Sequence, residues 1–389
     1  MKLRILHCIL DEKFIDSMIS VMDMTEDRCE NDYVIVSERN DFKFNFIKKT
    51  SKVHILSSNE FIPYLDRKHI DVIVVHSMFS LNPDLIIKIK KEIKIVWLAW
   101  GYDIYEPILN YRSLIKTRGL YHFRTKVVKN LEYYMHPRKI IDEIKHFFDK
   151  SYFEDAIRRM DFFSGVIPDE FGLIANDCRN GFFKAKSLDY SYFNLESNVC
   201  EKHLDDPYIN GQNIQVGNSG DETNNHLDVL ALLKKYNIRD KKVFLPISYS
   251  GSDFYKSVVR WYGKYLWKDN FVPIEKFMPL DDYLKVINTT QYAIFYHERQ
   301  QAMGNITNAL WNGCMVFVSK YSPVYSYLRK CGYVVFTVQD DLYRIEKDEI
   351  LSYEDRINNR KILIEHNSPQ VCMAKIDSII DILKEDCKK

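Results

Sequence analysis

The chain has 389 residues, 46% of them hydrophobic, enough for a sizeable buried core and, at ~100 to 200 residues per domain, for two domains. Its 55 Lys and Arg stand against 54 Asp and Glu, so the molecule as a whole exerts no pull toward nucleic acid, and no apolar run approaches the ~18 residues of a membrane span. Only 13 glycines are present, about half the usual ~7% share, and none lies in the first 100 residues, which excludes a glycine-rich phosphate loop after the first strand. The eight cysteines are scattered, with no C-x-x-C and no Cys/His cluster at zinc spacing, a usage that suits a reducing, cytoplasmic compartment.

Lys2 to Leu10 reads as a buried first strand and not as a signal peptide, because Asp11 and Glu12 follow at once with no small-residue cleavage site. Short apolar runs then alternate with helix-length amphipathic segments, the pattern of parallel sheets with crossover helices. In the first half, strands are predicted at 2–10, 32–37, 52–56, 70–76, 93–98 and 162–167; Val72 to Val75 and Ile93 to Leu98 lack polar alternation, as central strands do. From Tyr111 to Asn130 there are six Lys or Arg (Arg112, Lys116, Arg118, Arg124, Lys126, Lys129) and no acid, interleaved with apolar and aromatic residues. Such a stretch fits a helix lying in an anionic membrane surface, or equally a solvated helix whose apolar side is core.

Around 176–211 the regularity lapses into Asn, Ser, Asp and Gly, which marks a domain connection. Beyond it, strands are predicted at 212–217, 241–247, 291–296, 314–318 and 333–337, helices at about 223–236, 252–267, 280–289, 300–312 and 322–330, and the last ~35 residues as helical. The expected fold class is therefore α/β, two doubly wound Rossmann-like domains facing across a cleft. Residues 1–205 would form the first domain, with a basic helical insertion near 107–150. Residues 206–389 would form the second, the last helix packing back on the first. In such sheets ligands bind at the carboxyl ends of strands near the topological switch point.

Three stretches carry chemistry. In Val96 to Glu106, Gly101 follows a buried strand, and Asp103 and Glu106 stand among Trp97, Trp100, Tyr102 and Tyr105. Rings pack on sugar faces, carboxylates accept from hydroxyls, and a carboxylate near apolar rings can act as a base, so Asp103 and Glu106 are the catalytic candidates; an aromatic loop serving only as packing fits the same residues. His76, ending the fourth strand, is a further candidate. In Gln215 to His226, Gly217 and Gly220 turn the chain sharply before a helix. Asn218 and Ser219 can donate to an oxyanion and the helix start adds a positive dipole, provided Asp221 and Glu222 face away as caps. In Ile294 to Ile306, a strand runs into Arg299, Gln300 and Gln301, where an arginine can grip phosphate bidentately beside the free amides near Gly304 and Asn305. D-x-D, G-x-S-x-G and H-E-x-x-H are all absent, so a metal-independent anion site fits what is present.

These stretches together resemble the TDP-N-acetylfucosamine:lipid II N-acetylfucosaminyltransferases, the 4-α-L-fucosyltransferase family or glycosyltransferase family 56. The likeness rests on Trp100-Gly101-x-Asp103-x-Tyr105-Glu106, on Val216 to Asp221 with Asn225-His226, and on Arg299-Gln300-Gln301-x-x-Gly304, with weaker support from His76, Phe79, Asn82-Pro83, Pro246, Tyr249 and Pro323. Ala302 departs from it, standing where the family tends to have glycine. The resemblance implies a GT-B fold with a nucleotide-sugar donor in the second domain, held by Asn218, Ser219, Gly220, Arg299, Gln300, Gln301, Gly304 and Asn305. Tyr249 and Met278 belong to the loops at Pro246 to Tyr249 and Phe277-Met278 that would wall base and ribose. It implies a polyprenyl-diphosphate-linked glycan acceptor entering through the first domain, near His76, Trp100 and Tyr105. The expected protein is a cytoplasmic glycosyltransferase, peripheral on the inner face of a bacterial plasma membrane, needing neither metal nor cofactor and binding no nucleic acid. Its product would serve surface polysaccharides such as O-antigen or enterobacterial common antigen. Another UDP- or GDP-sugar donor, a nucleotide-sugar epimerase and a non-catalytic sugar-binding module remain open on the same residues.

Overall fold

A computed structural model describes residues 2–39, 41–109, 114–120, 153–177, 181, 183–191, 208, 211–276 and 278–388. The apolar runs form strands because each is covered on both faces by crossover helices, so backbone polar groups are satisfied along the sheet while side chains of both faces are buried. β4 (Val72–His76) is buried at every position, as expected of a central strand.

The chain divides into two compact units: Met1–Asn110 with Pro137–Tyr192 and Pro369–Lys389, and Tyr111–His136 with Phe193–Ser368. Among the described residues, the first holds seven strands: β1 (Leu3–Cys8), β2 (Cys29–Val36), β3 (Val53–Leu56), β4, β5 (Lys94–Leu98), β6 (Phe162–Ser164) and β7 (Lys186–Ser187). All pair in parallel, in the order β3-β2-β1-β4-β5-β6-β7. The C-terminal helix Pro369–Asp386 closes this unit. Its Ile376, Ile380 and Leu383 share a core with Leu3, Ile5, Ile9 and Val72, Arg28 pairs with Asp377 and Asp381, and Asp386 pairs with Lys94 and Lys186.

The second unit has, among the described residues, six strands: β8 (Asn213–Val216), β9 (Val243–Pro246), β10 (Phe271–Ile274), β11 (Thr290–Phe295), β12 (Met315–Val318) and β13 (Phe336–Thr337). They too are parallel, in the order β10-β9-β8-β11-β12-β13. Both sheets thus reverse direction once, between β1 and β4 and between β8 and β11. Loops leaving those neighbouring strands diverge to opposite faces and leave a crevice at the carboxyl edge. The core of this unit is built from Ile214, Val216, Tyr292 and Ile294 of the sheet against Val229, Leu230, Leu233, Tyr255 and Val259 of the covering helices.

The structure departs from the sequence expectation at defined points. The units part at 192/193 instead of 205/206; the last 21 residues, whose helix was expected to pack back on the first domain, belong to that unit. Residues 114–120, expected with the first domain, pack on the second: Asn225 Oδ1 accepts from Leu114 N (2.9 Å), and the Asp228 carboxylate accepts from Lys116 N (3.0 Å), Thr117 N (3.0 Å) and Thr117 Oγ1 (2.7 Å). Most of the expected insertion, 121–150, lies outside the described residues. Among the described residues no helix is long and apolar enough to cross a membrane, and no group of three or more His, Cys, Asp or Glu is placed to hold a metal.

Candidate functional site

The loops after β8 and β11 lie side by side because those strands pair, Val216 opposite Ile294, and Gly217 N extends the ladder to Ile294 O (2.9 Å). Gly217 then turns at φ 68°, and a side chain there would be strained and would meet Asn224 Oδ1 at 2.6 Å and His226 Nε2 at 2.9 Å. Beneath this turn Asn224, fully buried, uses its whole amide. Its Oδ1 accepts from Asn218 N (2.9 Å) and lies 2.9 Å from His297 Nε2; its Nδ2 donates to Ser219 Oγ and Asp221 O (both 3.1 Å).

Since Oδ1 is the acceptor, the His297 ring donates from Nε2 as a neutral imidazole. Burial and the Arg299 charge hold His297 well below the usual imidazole range, and burial pushes His226 down to about 3.

The second loop is tied to the first through Gln301. Its Nε2 donates to Asn218 Oδ1 (3.2 Å), while its Oε1 accepts from Arg299 Nε (3.0 Å) and lies 2.6 Å from Thr223 Oγ1. Asn225 Nδ2 adds a bond to Tyr296 O (2.8 Å). Arg299 is only 7% exposed, and the acceptors it meets here, Gln301 Oε1 and Thr223 Oγ1, are uncharged. The buried guanidinium places a positive charge in this corner beside neutral imidazoles. Asp221 serves as a cap, accepting from Thr223 N and Oγ1 (2.9 and 2.6 Å), and Glu222 accepts from Ser252 Oγ (3.2 Å).

Both helices of this corner begin about three residues later than expected, at His226 and at Met303. The helix following the glycine turn begins at His226, not at 223, since Asn225 takes a left-handed conformation, and His226 N donates to Tyr255 Oη (3.2 Å), so this end is occupied. The helix Met303–Trp311 follows Ala302, and no side chain caps it. Its first-turn amides and Arg299 together are suited to an anion.

Asn218, Ser219, Gly220, Tyr249, Arg299 and Gln301 are therefore gathered in one place: Gly220 N donates to Tyr249 O (2.9 Å) and Asn218 Nδ2 to Tyr249 Oη (3.3 Å). Ser219 is buried with its hydroxyl on Asn224, so it serves the turn and is not open to a ligand. Gly304 and Asn305 sit in the first turn of Met303–Trp311, Asn305 Oδ1 taking the Tyr283 hydroxyl (2.8 Å). Gln300 is 5% exposed and its Oε1 has no partner among the described residues. Met278 packs, half-buried, with Phe244, Ile274 and Ile287 beyond β10, and its neighbour Phe277 lies outside the described residues.

The first-unit candidates are mostly structural. Asp103 is fully buried, and its carboxylate accepts from Trp97 Nε1 (2.8 Å), Met78 N (3.0 Å) and Trp100 N (2.8 Å), knotting the loops after β4 and β5. It has no path to an acceptor hydroxyl, so the expectation of Asp103 as base is corrected; Glu106 is exposed. His76 is also fully buried, its Nε2 2.9 Å from His7 Nδ1, and Tyr105 is buried against Glu170, which removes both from contact with a glycan. The half-buried Trp100 packs edge-on against Phe14, with ring centroids 4.7 Å apart.

Residues 182–362, which contain the whole of this second-unit corner, match the model of the 4-alpha-L-fucosyltransferase glycosyl transferase group 56 family. Over that stretch the chain resembles glycosyltransferase group 56. The fold agrees. Sucrose-phosphate synthase from Thermosynechococcus elongatus superimposes with a TM-score of 0.66 at 9% identity, over 99% of this chain and 100% of that one. HepE of Anabaena, solved in complex with UDP and glucose, gives 0.63 at 10% identity over 97% and 99%. The N-terminal domain of the Candida albicans trehalose-6-phosphate phosphatase gives 0.63 at 10% over 98% and 97%. The fold is GT-B in type, and the chain is a glycosyltransferase. The departure at Ala302 has a physical content: the residue stands at φ 64°, the left-handed region that glycine enters freely. Asn224 and His297 were not singled out from the sequence as site residues. A buried amide or imidazole looks the same in sequence as a loop residue, and only the adjacent pair Asn224-Asn225 before His226 hinted at a built turn.

Proposed function

We propose that this glycosyltransferase moves a hexose from a nucleoside-diphosphate sugar to a polyprenyl-diphosphate-linked glycan. The observation that carries the reading is the buried Arg299 at the end of β11, one turn ahead of the uncapped start of Met303–Trp311 at the switch point. Cleaving the sugar–phosphate bond sends an electron pair and negative charge onto the departing diphosphate. A guanidinium and helix amides fixed in place before the reaction stabilise that charge without reorganising. Gln300 Oε1, buried and without a partner among the described residues, is suited to accept from a donor hydroxyl or base N–H. Tyr249 and Met278 are the wall residues for base and ribose. Glu106 is the candidate to take the proton of the acceptor hydroxyl.

Support for a nucleotide-sugar donor comes from the GT-B neighbours solved with UDP and glucose and with UDP-glucose. The resemblance drawn from the sequence motifs implies a TDP-linked 4-acetamido-4,6-dideoxyhexose and a role in bacterial surface polysaccharide assembly at the cytoplasmic face of the membrane. Melting the protein with TDP-, UDP- and GDP-sugars identifies the donor by the largest rise in midpoint; the best is then assayed with a lipid-diphosphate disaccharide. Transfer with release of nucleoside diphosphate is expected. Isomerised donor without acceptor, or binding without release, would overturn the reading.

A further inference from the structure

The charge balance of the whole chain is not kept locally in the second unit. The helix Asp253–Trp267 turns Tyr255, Val259, Gly263 and Trp267 to the core. Its other side carries Phe254 (44% exposed), Trp261 (67%) and Tyr265 (68%), the last two stacked with ring centroids 6.0 Å apart. Two large rings held one turn apart in water lose hydrophobic stabilisation unless something covers them. Next in the layer, Leu114 and Leu120 pack on the core that Val258 and Tyr262 also touch, and Asp228 fastens the 114–120 segment by its amides. Ile115, 76% exposed, stands there beside the exposed Lys116 and Arg118.

Residues 114–120, 226–240 and 253–269 together hold nine Lys or Arg against four Asp, one of which, Asp228, is spent on its cap. Arg260 is paired with Glu275, but Lys264 and Lys268, flanking the rings, form no ion pair among the described residues. Trp and Tyr prefer the lipid–water boundary, where one part of the ring is apolar and the other wet, and each basic residue near an anionic bilayer adds attraction. A second copy of the chain would set like charges against each other. We propose that this outer layer of the second unit, centred on Trp261, Tyr265, Lys264 and Lys268, docks on a bilayer rich in anionic phospholipid. It goes beyond the proposed reaction and stands on this face alone.

The test is flotation of the full chain with vesicles of phosphatidylcholine alone or mixed with phosphatidylglycerol. Binding to the mixed vesicles is expected, weakening as salt rises. Lys264→Gln/Lys268→Gln weakens it about thirty-fold, and Trp261→Ala/Tyr265→Ala more than about tenfold. Both variants keep the wild-type melting midpoint and the wild-type rate with a water-soluble acceptor. No flotation with anionic vesicles, equal flotation of wild type and both variants, or a lipid-free dimer that the aromatic variant splits, overturns the proposal. A chain that floats but fails to transfer sugar sinks the proposed reaction and leaves the docking face standing.

Discussion

Ala302 holds a left-handed backbone at the start of the helix whose amides complete the anion corner. For an L-residue that conformation costs roughly 1–2 kcal/mol, and glycine's extra freedom in the unfolded chain offsets part of the gain from replacing it. Ala302→Gly should therefore stabilise the protein by about 0.5–1 kcal/mol. A urea titration reads this as a higher midpoint at unchanged slope, and a lower midpoint would show the conformation is not strained. Glu170 offers a pH-dependent case. It is fully buried, and burial pushes its carboxyl up to about 7, against the Ile167 amide and Tyr105 and with help from the Asp103 charge. The folded chain thus keeps a proton that the unfolded chain releases near pH 4.5. This contribution to stability is full below pH 4.5, is lost as pH rises through 7, and is flat above, on the order of 3 kcal/mol in all. Glu170→Gln cannot lose that proton, so its stability relative to wild type should climb between pH 4.5 and 7; a pH-independent difference would refute the assignment.

At the level of elements, the segment 114–120 is held as a short helix by Asp228, which stands on the next helix and not on its own. Asp228→Asn leaves one acceptor oxygen for three donors and should cost about 1–2 kcal/mol, with faster hydrogen exchange at 114–120 and little change in the strands. Uniform loss of protection across the unit would instead mark Asp228 as a core residue. Strands and helices of this kind were legible in the sequence wherever apolar runs met turn residues, and nine of the eleven anticipated strands differ from those found only by trimming at their ends or a shift of a few residues. The other two, 162–167 and 333–337, keep only Phe162–Ser164 and Phe336–Thr337. Two strands escaped. β7 is two residues long, and β10 contains Pro273, which reads against a strand yet is tolerated because β10 lies at the sheet edge. The anion corner was legible for Asn218, Arg299 and Gln301, since polar residues straight after a buried strand have few other uses. It was not legible for Asp103, because carboxylates beside aromatics read alike whether they face a sugar or three hydrogen-bond donors of their own chain.

The whole molecule repeats one winding twice, and each switch point carries a buried polar pair: His7 with His76 in the first unit, Asn224 with His297 in the second. Among the described residues only the second joins its pair to a buried cation and an uncapped helix start, which is why the diphosphate is assigned there. A donor present at 100 times its dissociation constant would raise the stability of the binding-competent state by about 2.7 kcal/mol. The measurement that bears most directly on this claim is calorimetric titration of TDP, UDP and GDP into the wild-type chain and into Arg299→Gln, with near-ultraviolet circular dichroism to show both are folded. One nucleotide should bind the wild type and bind the variant more than about tenfold more weakly, as expected for the loss of a charge-assisted contact to phosphate. Equal affinity in the two folded proteins would contradict the assignment of Arg299 to the donor diphosphate.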